Sequence, residues 1–264
     1  MKLLLTNDDG IDAPGIQTLA SVLRREHEVW IVAPLRNKSG ASSSLNMLQN
    51  LYLERRSDKD FALDGTPVDC VLSAFTGGYL PSRPDAVISG INRGYNLGTD
   101  AVYSGTCGAA RQASLTGIPG IALSVDKNPF ESAGSAADSE YNYAALAEFA
   151  LKNLKNLLVL CGKIRNIDEG MNYEYFINVN APSIDSYKGV KFTKPCRRFY
   201  CGDHTVLTKE ADGKTYSCFV GGENVRCYGD EFSDAKAVAD GNVSISVLYA
   251  EPAVNTEFCK KTFC

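Results

Sequence analysis

The chain has 264 residues, of which 44% are hydrophobic and 22% charged, enough for one large domain or for a core domain with an appendage. A net charge of -4 and a pI near 5.3 offer no basic surface to track a phosphate backbone, so no nucleic-acid polymer is expected as a partner. No stretch approaches the ~20 apolar residues of a membrane-spanning helix, and the N-terminal apolar run is too short for a signal peptide, so the expected location is the cytoplasm.

Residues 2–6 are a continuous apolar run, as in a parallel strand covered on both faces. Pro14 suits a first helical turn, and Ile16, Leu19, Val22 and Leu23 follow at helical spacing. A strand is expected over 27–33 (HEVWIVA), then two more over 51–54 and 61–63. Asp64-Gly65 reads as a turn, with Thr66 as N-cap and Pro67 opening a helix over 68–75; capping accounts for these residues without any chemistry. The alternation continues with a short buried strand over 85–89, a helix over 103–115, a buried strand over 120–125, a surface loop over 131–140 and a helix over 141–158. From residue 173 the character changes to strands over 175–180, 189–193 and 216–220, and 243–249 (VSISVLY) alternates like a half-exposed strand. The expected fold is α/β: a mainly parallel sheet with helices on both faces over 1–172, then over 173–264 a continuation of the sheet and a C-terminal, β-hairpin-rich extension.

The cysteines number nine, an odd count without C-x-x-C spacing. A zinc cage from Cys196, Cys201, Cys259 and Cys264 fits no standard spacing, and His27 and His204 are the only histidines. Reduced, mostly buried thiols are the better expectation.

Three segments follow expected strands and would share one crevice at the carboxyl ends of a parallel sheet. Asn7-Asp8-Asp9-Gly10 is equally a turn or a pair of hard oxygen ligands whose mutual repulsion a divalent cation would relieve. The loop over 36–44 (RNKSGASSS) is a flexible Gly/Ser connection or a source of oxygen and N–H groups, with Ser39 as a ligand or phosphate contact. The third segment, 89–110, offers Asn92 and Asn96 as neutral oxygens, and Ser104-Gly105-Thr106 at a helix start where free N–H groups favour an anion. No P-loop, dinucleotide fingerprint or nucleophile elbow is present.

The segments TNDDGIDAPGIQTLA, APLRNKSGASSS, LDGTPVDCV and SGINRGYNLGTDAVYSGTCGAA, in this order, resemble the SurE family, stationary-phase survival proteins that act as 5'-nucleotidases. Weaker echoes lie in INVNAP and VSISVLY, and 195–226 departs from the family pattern. The resemblance implies a Rossmann-like sheet whose C-terminal extension exchanges between subunits to give homodimers or homotetramers. It also implies one divalent metal ion, Mg²⁺ or Mn²⁺, held by Asp8, Asp9, Ser39 and Asn92, with Asn96, Ser104, Gly105 and Thr106 on the phosphate side. The activity implied is hydrolysis of nucleoside 5'-monophosphates, and of 3'-monophosphates as a possible extension, with Asp8, Asp9 and Asn96 as the catalytic set. Whether an aspartate is also base or nucleophile stays open. A broader phosphatase acting on polyphosphate, and a non-catalytic nucleotide- or metal-binding module, are the alternatives.

Overall fold

The structure is a computed structural model that describes residues 1–131, 141–162, 164–167, 170–210, 213–222 and 224–253. The expected loop beyond Glu131, together with Cys259 and Cys264, lies outside them. In chain order the first half forms β1 (Lys2–Thr6), α1 (Pro14–Leu23), β2 (Glu28–Pro34), β3 (Leu53–Arg55), β4 (Asp60–Leu63), α2 (Pro67–Thr76), β5 (Ala86–Arg93), a 3-10 turn over Gly98–Val102, α3 (Gly105–Leu115), β6 (Gly120–Asp126) and α4 (Tyr143–Val159). The second half adds β7 (Ile164–Ile167), β8 (Gly170–Tyr173), β9 (Tyr175–Pro182), β10 (Val190–Phe192), β11 (Arg197–Cys201), β12 (His204–Lys209), β13 (Thr215–Val220), β14 (Asn224–Tyr228), α5 (Asp234–Ala239) and β15 (Val243–Tyr249).

Nine strands form one sheet in the order β10-β15-β9-β6-β5-β1-β2-β4-β3. Strands β9, β6, β5, β1, β2 and β4 run parallel; β3 pairs antiparallel with β4 and β15 with β9, and β10 runs parallel to β15. Leu3, Leu4 and Leu5 have no exposed surface because successive side chains of β1 enter opposite layers. Leu3 and Leu5 join a core with Ile16, Leu19, Leu146 and Leu154 of α1 and α4. Leu4 joins the other core, with Val71 of α2 and Ala109 and Ala113 of α3. Helices therefore cover both faces, as the apolar run over 2–6 implied.

The chain leaves β1 toward β2 and β4, then crosses back to place β5 on the other side of β1. The winding reverses between β1 and β5, and the crevice beyond their carboxyl ends is where doubly wound sheets bind ligands.

Three local expectations change. β5 runs on past Ser89 through a register irregularity to Arg93, so Asn92 lies within the strand. The helix expected over 103–115 is split: a 3-10 turn ends at Val102, and Ser104 caps α3 by accepting from the Cys107 N–H at 3.0 Å. The first four residues of β15, Val243–Ser246, are buried, because the strand lies between β9 and β10 and α5 packs over it.

The hairpin-rich part is an insertion between β10 and α5. β11 pairs with β14 and β12 with β13, all antiparallel, in two ribbons separate from the main sheet. Lys194 N–H donates to Phe232 O at 3.0 Å and Asp234 N–H to Lys194 O at 3.0 Å, stitching the two ends of this arm together. Every residue of β12 and β13 is exposed. Cys70, Cys107, Cys161 and Cys196 are buried, Cys201 and Cys227 half-buried and Cys218 exposed, all as free thiols. No helix among the described residues is long and apolar enough to cross a membrane.

Candidate active site

The tip of β1 shows how one tetrapeptide is both a turn and a site. Asn7 Nδ2 donates to Gly10 O at 2.8 Å, and the Gly10 N–H donates back to Asn7 Oδ1 at 3.3 Å. The outer residues close the turn, and the Asp8 and Asp9 side chains are left for other partners. Asp8 is only 4% exposed and faces the start of α3. Its Oδ1 accepts from the Thr106 hydroxyl at 2.5 Å and its Oδ2 from the Thr106 N–H at 3.2 Å. Burial pushes the Asp8 carboxyl above its usual range, and the Thr106 and Gly105 donors pull against that rise. Gly105 makes the approach possible: a Cβ there would lie 2.9 Å from Asp8 Cβ. Asp9 is half-buried, and its Oδ2 accepts from the Arg93 N–H of β5 at 3.1 Å.

The loop after β2 is pinned to this turn. Lys38 N–H donates to Asp8 O at 2.7 Å, Ser42 N–H to Tyr103 O at 2.9 Å and Ser42 Oγ to Val102 O at 2.6 Å. Ser39 N–H donates to Asn37 Oδ1 at 2.9 Å, which sets Ser39 at the cleft mouth. Asn92 Nδ2 donates to Gly94 O at 2.8 Å, so the amide nitrogen is anchored and the oxygen is the group it can offer. Asp8, Asp9, Ser39, Asn92, Asn96 and Ser104 line one cleft of about 570 Å³. Among the described residues no group of three or more His, Cys, Asp or Glu side chains is placed to hold a metal. A cation here would rest on two carboxylates and neutral oxygens, a hard donor set that fits Mg²⁺ or Mn²⁺, and it would offset the cost of burying Asp8.

Gly105 and Thr106 do not line the cleft. Thr106 has no exposed surface and spends its hydroxyl and N–H on Asp8, while the Ser104 N–H donates to Asp100 O at 3.1 Å. The start of α3 thus serves the Asp8 carboxylate. Ser104 Oγ accepts from Cys107 and keeps its own proton for the cleft.

Asn96 is held by two residues that did not stand out in the sequence. Its N–H donates to Asn180 Oδ1 at 2.8 Å, and its carbonyl accepts from Asn178 Nδ2 at 2.8 Å and Asn180 Nδ2 at 3.2 Å. Its own Nδ2 donates to Ser124 Oγ at 2.8 Å. The signal was two asparagines alternating with Ile177 and Val179 in a strand buried almost throughout, where polar groups persist only with partners. Asn180→Ala leaves the buried Asn96 N–H unpaired. It is expected to cost about 1–3 kcal/mol, read by urea unfolding, and an unchanged midpoint would sink this assignment.

The family description "Survival protein SurE" matches residues 3–202. The chain belongs to the SurE family. The 5'-nucleotidase SurE of Syntrophotalea carbinolica is 38% identical over 251 residues, covering 95% of this chain and 92% of its own. The 5'/3'-nucleotidase SurE of Escherichia coli is 36% identical over 254 residues, with 95% and 91% covered. The SurE crystal structure from Aquifex aeolicus aligns with a TM-score of 0.75 at 30% identity, covering 99% of this chain and 98% of that one. The SurE match of residues 3–202 ends just past β11, so most of the arm lies beyond it.

Against the cleft lies a second cavity of about 590 Å³, walled by Phe199, Tyr200, Phe219 and Tyr103. The two cavities share Asp100, Tyr103 and Tyr200. β11 brings Tyr200 across, where its hydroxyl donates to Asp100 Oδ2 at 2.6 Å, and Arg198 Nε forms an ion pair with the same oxygen at 3.2 Å.

Proposed function

We propose that this chain is a metal-dependent phosphatase that hydrolyses nucleoside 5'-monophosphates, and also 3'-monophosphates, to nucleoside and phosphate. The observation that carries this is the buried Asp8 beside Asp9 at the reversal of the sheet, in a cleft that shares Asp100, Tyr103 and Tyr200 with an aromatic cavity. The names of the relatives support the same activity.

Asp8, Asp9, Ser39 and Asn92 are the residues that would hold one Mg²⁺ or Mn²⁺. When bound, such an ion polarises a phosphoryl oxygen and lowers the pKa of a coordinated water. Thr106 fixes the Asp8 carboxylate so that it need not reorganise during the reaction. Ser104 directs its hydroxyl proton, and Asn96 its remaining amide N–H, toward phosphate oxygens. Tyr103, Phe199, Tyr200 and Phe219 offer ring faces on which any nucleobase stacks; such contacts are worth about 1–3 kcal/mol each.

A cytoplasmic homodimer or homotetramer fits this reading, joined through the C-terminal extension. Leu207 is 68% exposed, which favours a second copy covering β12 and β13. Phosphate release from a nucleotide panel is expected to vanish in EDTA and return with Mn²⁺ or Mg²⁺, with a solution mass at twice or four times 28.5 kDa. Release undiminished by EDTA would remove the metal from the reaction. Absence of release under every metal would favour the non-catalytic binding module, and turnover confined to polyphosphate the broader phosphatase.

A further inference from the structure

We propose that Cys196 and Cys227 are an oxidative modification site at the root of the arm: peroxide converts the two thiols to a reversible disulfide, and that bond slows turnover at the neighbouring cleft. The disulfide goes beyond the nucleotidase reading; only its effect on turnover rests on it.

The fold brings the two thiols together. Cys196 directly precedes β11, and Cys227 lies in β14. Arg198 pairs with Cys227 and Arg197 with Tyr228, which leaves Gly229 as the next residue opposite Cys196. A Cβ on Gly229 would indeed lie 3.3 Å from Cys196 Cβ. Cys227, two residues before Gly229, is on the same face of the ribbon. Both cysteines pack into one small core with Tyr95, Leu97, Ala235 and Val238. Cys196 is 3% exposed, whereas Cys227 is half-buried.

Their surroundings give them unequal chemistry. A hydrogen bond from Cys196 holds the Cys227 thiol below its ordinary range, and Arg198 adds to that pull against burial and the charges of Asp234 and Asp100. The same contact, with burial and the charge of Asp234, pushes the Cys196 thiol up. Burial likewise pushes Cys107 and Cys161 up to about 12. A reachable thiolate beside a buried thiol that can resolve it is the arrangement of a redox-sensing pair.

The chemistry balances with hydrogen peroxide as the oxidant. The Cys227 thiolate attacks one peroxide oxygen; an S–O bond forms, the O–O bond breaks, and hydroxide leaves and is protonated to water. The Cys196 sulfur then attacks the Cys227 sulfur; the S–S bond forms, the S–O bond breaks, and hydroxide leaves with the Cys196 proton as a second water. Two thiols lose two electrons, and a dithiol returns them.

The bond reaches the cleft through Asp234. Cys196 N–H donates to Asp234 Oδ1 at 2.9 Å, and Gly98 N–H donates to Asp234 Oδ2 at 2.6 Å. Gly98 also packs on the Cys196 carbonyl, where a Cβ would lie 2.1 Å from the oxygen. Gly98 opens the 3-10 turn that carries Asp100 to the cleft lining. Drawing Cys196 toward Cys227 displaces this turn, and small displacements near a reacting centre cost about 10-fold or more in rate.

The test treats the reduced full chain with hydrogen peroxide, desalts it and maps linked peptides by mass without reductant. A Cys196–Cys227 link is expected, reversed by dithiothreitol, with Cys227 consumed before the more exposed Cys218. In Cys196→Ser, dimedone should capture a sulfenic acid at Cys227. Turnover of AMP with Mn²⁺ should fall about 10-fold on oxidation and recover with dithiothreitol, and Cys227→Ser should keep its turnover through the same treatment. Absence of the link in the wild type, or linkage of Cys227 to any other cysteine, would overturn the site whether or not the variants fold. A link formed with turnover unchanged would overturn the effect on the cleft. Failure of the reduced protein to release phosphate from any nucleotide would remove the nucleotidase reading instead, and the peptide map would still decide the disulfide.

Discussion

Asp8→Asn is expected to lower metal-dependent phosphate release by about a thousandfold and yet to raise the melting temperature of the metal-free protein. The first effect follows from losing one anionic oxygen of the all-oxygen set. The second follows from burial. Asp8 is 4% exposed, and its carboxyl is raised by desolvation against the pull of Thr106. A carboxyl raised in the folded state favours the fold below its unfolded value, near 3.8, and that contribution is lost as pH rises through the folded value. At neutral pH the metal-free wild type therefore carries an unrelieved charge that asparagine does not. The amide oxygen can take the Thr106 N–H while its nitrogen donates to the Thr106 hydroxyl, so the local bonds survive. Each kcal/mol relieved is worth about 2–4 °C in a domain of this size. The gain should shrink as pH is lowered and the raised carboxyl takes up its proton. Scans in EDTA at pH 7.5 and pH 4.5 check the sign, and added Mn²⁺ should stabilise the wild type alone. A variant less stable than wild type in EDTA at both pH values would show that the charge is not what strains the site.

Gly90→Ala should be strongly destabilising. Gly90 has φ of 130°, a region L side chains avoid, and a Cβ there would lie 2.3 Å from Leu123 O in β6. Backbone strain and forced separation of two central strands each cost about 1–3 kcal/mol. Together they amount to about 3 kcal/mol or more, or about 6–12 °C of melting temperature. Asn92 lies two residues on, at the register irregularity between β5 and β6. The folded fraction should therefore need more Mn²⁺ to reach half-maximal turnover. Equal melting temperatures and equal Mn²⁺ requirements in the two proteins would contradict the packing described at this point.

Much of the catalytic end was legible in sequence because local chemistry decides it. The apolar run of β1, the Asn7–Gly10 turn and the Thr66 cap each involve residues within a few positions of one another. The sheet's reversal then gathers Asp8, Ser39 and Asn92 without needing long-range detail. What escaped depends on pairs far apart in the chain: Asn178 and Asn180 with Asn96, and Arg198 and Tyr200 with Asp100. The role of Thr106 escaped for a related reason. A helix start attracts any anion, and sequence does not say whether a phosphate or the protein's own carboxylate will occupy it.

The arm leaves the sheet after β10 and returns to it at α5, and its two ends are joined by hydrogen bonds at Lys194. A segment whose ends already meet can lengthen, shorten or be replaced while the strands on either side keep their register. Phe199, Phe219 and the Tyr200 hydroxyl that steadies Asp100 ride on that segment, whereas Asp8, Asp9, Ser39 and Asn92 do not. Substrate choice can accordingly drift under selection without disturbing the hydrolytic chemistry. Exchange of residues 195–228 between relatives is a route for transplanting preference from one family member to another.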